Sequence, residues 1–167
     1  MAARFNHVYG EHLVLPEALI EESVATLPGL DDRKMSKSYG NSIPLFAPAA
    51  QMKKLIFAIV TDSRLPGEPK DSERSALFQI YQAFATPEET ARMRVAFAGG
   101  IAWGEAKQAV FERIEAEVAP LRSRYQLLIA NPAPIEQRLQ EGAAKARAIA
   151  RPFLAELRRA VGLRSLN

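Results

Sequence analysis

Apolar residues recur along most of the chain every three or four positions, the spacing of helices that each bury one face. In residues 1–9, Phe5 and Val8 share a face, and Gly10 is placed to stop that helix with a left-handed cap. A chain that opens in mid-helix suggests that a preceding part of a larger protein is missing. In residues 44–60, Met52, Leu55, Ile56, Ile59 and Val60 fall at i, i+3, i+4, i+7 and i+8 and predict one apolar face. Leu77, Ile80, Tyr81 and Phe84 predict a second helix over 75–84. Thr86, Pro87 and Glu89 read as N-cap, first and third helical positions of a third helix, which Gly99 and Gly100 close. Ala106, Val110, Ile114, Val118 and Leu121 line a long helix over 103–125, where Pro120 implies a kink or break. After a turn at 131–134, a last helix over 135–161 turns Leu139, Ala143, Ala146, Ile149, Phe153, Leu157 and Val161 inward. Pro152 bends it or starts a new segment, and Gly162 ends it.

Three segments depart from this rhythm. An apolar run broken by Pro16 leads to a β-branched stretch around Val24 and Thr26, which reads as a strand near a sheet edge. Residues 27–44 gather Pro28, Gly29, Gly40, Pro44 and many hydrophilic side chains, and form a loop. Pro66, Gly67 and Pro69 make residues 61–71 a surface connection.

Composition narrows the class. Hydrophobic residues make up 48% and charged residues 25% of the 167, which fits an ordinary folded domain and excludes disordered and fibrous chains. No apolar run approaches the roughly 18 residues of a membrane helix, and the first ten residues lack a signal-peptide core, so a soluble cytoplasmic protein without membrane attachment is expected. The absence of cysteine removes disulfides, thiolate metal sites and cysteine nucleophiles. With only His7 and His12 to supply imidazole, no protein-bound metal is expected. The net charge is +3, but residues 121–167 carry nine basic side chains against Glu136, Glu141 and Glu156. That bias suits a polyanion, or else a solvated helix surface.

The candidate chemistry is the pentapeptide Lys34, Met35, Ser36, Lys37, Ser38. Two ammonium groups three residues apart, with two hydroxyls on a glycine-flanked loop, can surround a polyphosphate tail. If pyrophosphate is displaced from ATP, Lys34 and Lys37 stabilise the charge growing on the leaving group, and Ser36 and Ser38 add hydrogen bonds. Gly29 and Gly40 are the candidate hinges of a loop that is mobile when empty. The competing reading is an exposed loop whose lysines are merely solvated.

The sequence KMSKS is the signature of class I aminoacyl-tRNA synthetases, and residues 15–46, LPEALIEESVATLPGLDDRKMSKSYGNSIPLF, closely resemble the bacterial tryptophanyl-tRNA synthetases. The resemblance continues through MKKLIFAIVTDSR, LFQIYQAF and EGAAKARAIA, so it covers essentially the whole chain. One departure is Asp32, where that family usually has glycine.

The resemblance implies a mainly α fold: a C-terminal helical bundle over 46–167 on the tRNA anticodon side, preceded in 1–45 by the last fragment of a Rossmann-like α/β nucleotide-binding domain. It implies ATP as substrate, with Mg2+ carried by the ATP, and tRNA(Trp) as partner. Lys37 becomes the leading catalytic candidate and Lys34 its helper. Met35, Ser36 and Ser38 complete the ATP contacts, and the backbone near Ala25 meets adenine. For tRNA the candidates are Arg122, Arg124, Lys145, Arg147, Arg151 and Arg158; Trp103 is read as core rather than as a base-stacking platform.

Enzymes of this family are homodimers that also need a His-containing phosphate signature and a tryptophan pocket upstream. His7 and His12 lie in HVYGEH without a glycine-rich turn, so tryptophan is reached only through an absent N-terminal half and the chain alone is expected to be inactive. The alternatives are a non-catalytic tRNA-binding or regulatory module derived from a synthetase, and a structural helical bundle with idle loop lysines.

Overall fold

Among the described residues, six α-helices form where apolar spacing and capping residues place them: α1 Ala2–Tyr9, α2 Ala49–Ala58, α3 Ala76–Gln82, α4 Pro87–Ala98, α5 Trp103–Ala130 and α6 Ala133–Ala160. The structure, a computed structural model, describes residues 1–20 and 25–163. Among these residues there is no strand; Thr26 lies in a bend, and Val24 falls outside the described residues. The mainly α reading holds.

Contacts group the chain into two units, Met1–Leu19 with Leu127–Asn167, and Ile20–Gln126. This grouping and the sequence-based division at residue 45 cut the chain at different places.

The second unit holds the core. Met52, Ile56 and Ile59 from α2 and its end, Leu77, Ile80 and Tyr81 from α3, Met93 and Phe97 from α4, and Ala106, Val110, Ile114 and Val118 from α5 are all buried in one cluster. Phe78 joins them, meeting the Phe97 ring edge-on at 5.3 Å. Phe97 also meets Trp103 edge-on at 5.7 Å. Trp103 is therefore a wall of the core, and its indole N–H donates to Asp62 at 3.2 Å. Two residues read as core lie outside it: Val60 is 61% and Leu121 50% exposed, because each sits just beyond the turn its neighbours cover.

Local signals set the helix starts. Thr86 accepts from the Glu89 amide at 3.2 Å while the Glu89 carboxylate accepts from the Thr86 amide at 2.8 Å, a reciprocal capping box with Pro87 in the first turn. Ser75 caps α3 by accepting from the Phe78 amide. Gly10 ends α1 at φ 94, positive as expected, but with an extended ψ of 167 rather than a left-handed cap.

Neither proline breaks its helix, so of the expected alternatives a break at Pro120 and a new segment at Pro152 are set aside. α5 continues through Pro120 and α6 through Pro152, each giving up one backbone donor while the remaining turns stay bonded. The apolar stripe of α6 is also not inward: Leu139 is 63%, Ile149 78% and Phe153 39% exposed. An amphipathic stripe is buried only where another element covers it, and α6 has no buried residue.

The connection after α2 is fastened to the end of α4 by two glycines back to back. The Gly67 amide donates to the Gly100 carbonyl at 2.8 Å, and the Lys70 amide to the Phe97 carbonyl at 2.8 Å. Gly100 has φ 83, and a Cβ there would lie 2.4 Å from the Gly67 carbonyl carbon. Gly100→Ala is expected to destabilise the second unit by about 2–4 kcal/mol, summing left-handed strain and forced overlap. Gly40→Ala, at φ 66 with nothing within 4 Å, should cost only about 1–2 kcal/mol. Urea unfolding followed by Trp103 fluorescence checks the ranking.

Candidate functional site

The pentapeptide is carried on a small hairpin. The Gly29 amide donates to the Arg33 carbonyl at 2.7 Å and the Met35 amide to the Leu27 carbonyl at 2.9 Å, with Pro28 and Lys34 bridged antiparallel. Leu30, Asp31 and Asp32 make the turn between them. Asp32 has φ 64, in the left-handed region that glycine occupies without strain. This explains the departure at Asp32: the backbone asks for a residue at ease with positive φ, and aspartate tolerates it better than most side chains.

Beyond the hairpin, Lys37–Tyr39 form one turn of 3-10 helix. Ser36 caps it, its hydroxyl accepting from the Ser38 amide at 3.3 Å and lying 2.8 Å from the Ser38 hydroxyl. Gly40 closes it at φ 66, donating its amide to the Lys37 carbonyl. Lys34 and Lys37 are both exposed, and Met35 is half-buried at the hairpin edge. The structure thus brings Lys34, Met35, Ser36, Lys37 and Ser38 onto one short loop. Ala25 is exposed, two residues before the hairpin.

A buried residue absent from the sequence reading closes the base of this loop. Asn41 is 3% exposed; its carboxamide accepts from the Ser36 amide at 2.8 Å and donates to Asp31 at 2.6 Å and to the Lys34 carbonyl at 3.3 Å. Arg33 donates to the other Asp31 oxygen at 2.7 Å and lies 4.7 Å over the Tyr39 ring. The hydrogen bonds from Asn41 and then from Arg33 hold the Asp31 carboxyl well below its ordinary value, at about 2. Gly29 does not have the freedom of a hinge: a Cβ there would meet the Asn41 carboxamide at 2.4 Å. The signal that points to Asn41 is a Gly-Asn pair directly after the loop, where a left-handed glycine returns the chain inward.

The six arginines and lysines assigned to tRNA are divided between the two units, Arg122 and Arg124 in one and Lys145, Arg147, Arg151 and Arg158 in the other. Arg122 is a correction: it is 7% exposed, and its guanidinium forks onto Glu115 at 2.6 and 2.8 Å, one turn pair back along α5. Its charge is taken up inside the second unit. Arg124 is exposed on the same helix. On α6, in the other unit, Arg147, Arg151 and Arg158 fall at i, i+4 and i+11 and form one exposed row, while Lys145 stands on a different row. A cleft of about 400 Å3 beside Asp32 is lined by Arg64 and Arg74, but these are paired with Asp62 and Asp71, which leaves it little attraction for an anion.

The sequence model of the family described as tRNA synthetases class I (W and Y) matches residues 1–119. The chain belongs to that family. A tryptophan–tRNA ligase of Xanthomonas axonopodis pv. citri is 66% identical over 99% of this chain and 39% of its own length. One from Pseudomonas aeruginosa is 61% identical over 98% of this chain and 37% of its own length. A crystal structure of the tryptophanyl-tRNA synthetase from Campylobacter jejuni, complexed with ADP and tryptophan, is 35% identical with a TM-score of 0.76, covering 97% of this chain and 51% of that one. The chain thus spans 39% or less of these two curated synthetases.

The Asp31 network predicts a pH response of definite sign. Its carboxyl is held below the ordinary value of 3.8, so its contribution to the folded loop is full above about 4 and is lost as pH falls toward about 2. A carboxyl-carbon NMR titration should place the Asp31 midpoint near 2; Asn41→Ala should raise it most, and Arg33→Ala less. A midpoint at the ordinary value in the wild-type chain would contradict the geometry.

Proposed function

We propose that this chain is the part of a tryptophan–tRNA ligase that grips the triphosphate of ATP and presents a helical surface to tRNA(Trp). The observation that carries the reading is the loop Lys34–Ser38: two outward ammonium groups on a pinned base, in a chain 66% identical to such a ligase. The reaction is attack of the tryptophan carboxylate on the α-phosphorus of ATP, with pyrophosphate leaving and tryptophanyl-adenylate formed, followed by transfer to tRNA. Charge builds on the leaving pyrophosphate, and cations already aimed at that position stabilise it without reorganisation.

In this reading Lys37 is the principal group and Lys34 its helper. The Ser36 and Ser38 hydroxyls turn from each other to the phosphates, Met35 holds the hairpin edge beside the adenosine, and the backbone near Ala25 meets adenine. Mg2+ enters with the nucleotide as part of the substrate. Residues 1–45 close a Rossmann-like catalytic domain and 46–167 form the helical tRNA side. Tryptophan is bound by parts of the ligase that the curated relatives have beyond the matched region. The whole enzyme is a cytoplasmic homodimer. No described helix is long and apolar enough to cross a membrane.

Because both halves of a phosphate grip act as a unit, the chain assayed alone should give no tryptophan-dependent exchange of pyrophosphate into ATP. Mixed with the remaining part of a close relative, it should restore exchange. Lys37→Ala should then lower kcat/KM by about 10²–10³-fold, the loss of one preorganised donor. Exchange that survives Lys37→Ala undiminished would sink the assignment, and exchange by the chain alone would remove the need for a second half.

The tRNA surface has its own test. Arg151→Ala should reduce the slope of log K against log salt for tRNA(Trp) by about one without changing the unfolding midpoint. Arg122→Ala should do the reverse, leaving the slope unchanged and lowering stability, because it strands Glu115.

A further inference from the structure

We propose that Asn41 is the positioning residue of the phosphate loop: its one buried carboxamide sets the backbone path on which both Lys34 and Lys37 are carried. This rests on the reading of the loop as a phosphate grip.

The orientation of the carboxamide follows from its neighbours. The Ser36 backbone N–H can only donate, so the group 2.8 Å from it must be the amide oxygen. The NH2 then faces three oxygens, of Asp31 at 2.6 Å, the Lys34 carbonyl at 3.3 Å and the Arg33 carbonyl at 3.5 Å. The Asn41 carbonyl meanwhile accepts from the Leu30 amide at 3.1 Å. One side chain therefore touches the hairpin turn, the residue bearing the first lysine, and the serine that caps the turn bearing the second. No other described side chain makes hydrogen bonds to backbone on both sides of Met35. Gly29 passes so close that a Cβ there would lie 2.4 Å from the carboxamide nitrogen, so the carboxamide occupies space that only a glycine at 29 leaves open.

A positioning role depends on the donor side of the carboxamide, which separates it from simple filling of space. Asn41→Asp keeps shape and keeps the Ser36 acceptor, but points a carboxylate oxygen at three acceptors. Asn41→Ala removes the bonds without adding charge, so a purely electrostatic effect on anion binding predicts loss only in the Asp variant. Asp31→Asn combined with Asn41→Asp restores a donor–acceptor pair between these two side chains at the wild-type net charge, while the Lys34 and Arg33 carbonyls still face a carboxylate oxygen.

The experiment uses the chain of residues 1–167 and three readouts: calorimetric titration with inorganic pyrophosphate, amide hydrogen exchange resolved by NMR at residues 34–38, and thermal unfolding monitored at Trp103. Asn41→Asp and Asn41→Ala are expected to weaken pyrophosphate binding at least tenfold and to speed Ser36 amide exchange at least tenfold, with the core unfolding midpoint little changed. The double variant should recover part of both, the share carried by the contact between positions 31 and 41. Wild-type binding and exchange in both single variants would overturn the proposal, as would an effect seen only in Asn41→Asp. If the wild-type chain takes up no pyrophosphate while Lys34 and Lys37 are intact, the titration is repeated with the chain mixed with the remaining part of a close relative, and no uptake there ends the phosphate reading by itself. Exchange then decides the positioning role: faster exchange confined to 34–38 and partly reversed in the double variant upholds it, and unchanged exchange overturns it. Should both single variants unfold, Asp31→Asn alone removes the charged acceptor and is judged by the same two readouts.

Discussion

The backbone of Leu30 joins three segments that are otherwise far apart in sequence. Its N–H donates to the Asn41 carbonyl at 3.1 Å, and its own carbonyl accepts from the Val60 amide at 3.0 Å. The hairpin, the return from the loop and the end of α2 are thus tied at one residue, whose side chain packs on the buried cluster. The end of α2 is held from another side by Lys107 of α5, whose ammonium donates to the Phe57 and Ile59 carbonyls at 2.9 and 2.8 Å. A cation at a helix C-terminus satisfies carbonyls that have no partner within the helix and suits the dipole there. Burial pushes the Lys107 pKa down, so this tie is made at some desolvation cost and holds because the carbonyls repay it. Through these bonds the loop inherits the rigidity of the helical core, and charges meant to meet a fixed ligand need such a base.

What could be read in the sequence was what local rules decide. The capping box of α4, the stripe of α5 from Ala106 to Val118 and the pentapeptide loop all follow from spacing and from residue chemistry. What could not be read depends on which elements meet. Phe78 lies off the face marked by Leu77, Ile80 and Tyr81, yet is 1% exposed, because the seven-residue α3 is packed on more than one side. Arg122 looked like one more basic residue in a basic region; seven positions back, Glu115 takes it into the core. The α6 stripe has the right period and remains exposed, since periodicity shows that a face is apolar and not that anything covers it. Asn41 is the sharpest case: as sequence it ends a turn, and only the tertiary arrangement makes it the centre of the loop.

The cations sort in the same way, and net charge says little about where an anion will settle. Arg94 pairs with Glu73, and Arg113 with both Glu89 and Glu117. Glu89 thereby caps α4 and anchors α5; the bond from the Thr86 amide, followed by the pairing with Arg113, lowers its pKa. Arg33 is held by Asp31 and stacks on Tyr39. These pairs consume basic residues that a charge count would credit to a polyanion surface. On the proposed reading, the cations left to act on phosphate include the loop lysines, Arg124 and, on α6, Lys145 and the row Arg147, Arg151 and Arg158.

This division also says which part of the loop moves. The expectation of two glycine hinges requires the backbone to swing at Gly29 and Gly40, but Gly29 is buried against Asn41 and bonded to Arg33, so opening there would break the Asn41 contacts and the hairpin pair together. Gly40, at a left-handed φ of 66 with open space around it, retains that freedom. The inexpensive motions are in the side chains. The Ser36 and Ser38 hydroxyls bond each other at 2.8 Å and need only rotate about one bond to offer themselves to a phosphate, while the exposed lysines reorient through their stems. A grip of this kind closes by turning hydroxyls and ammonium groups on a backbone that is already in place, so most of the ordering cost of binding falls on two lysine side chains rather than on five residues of loop.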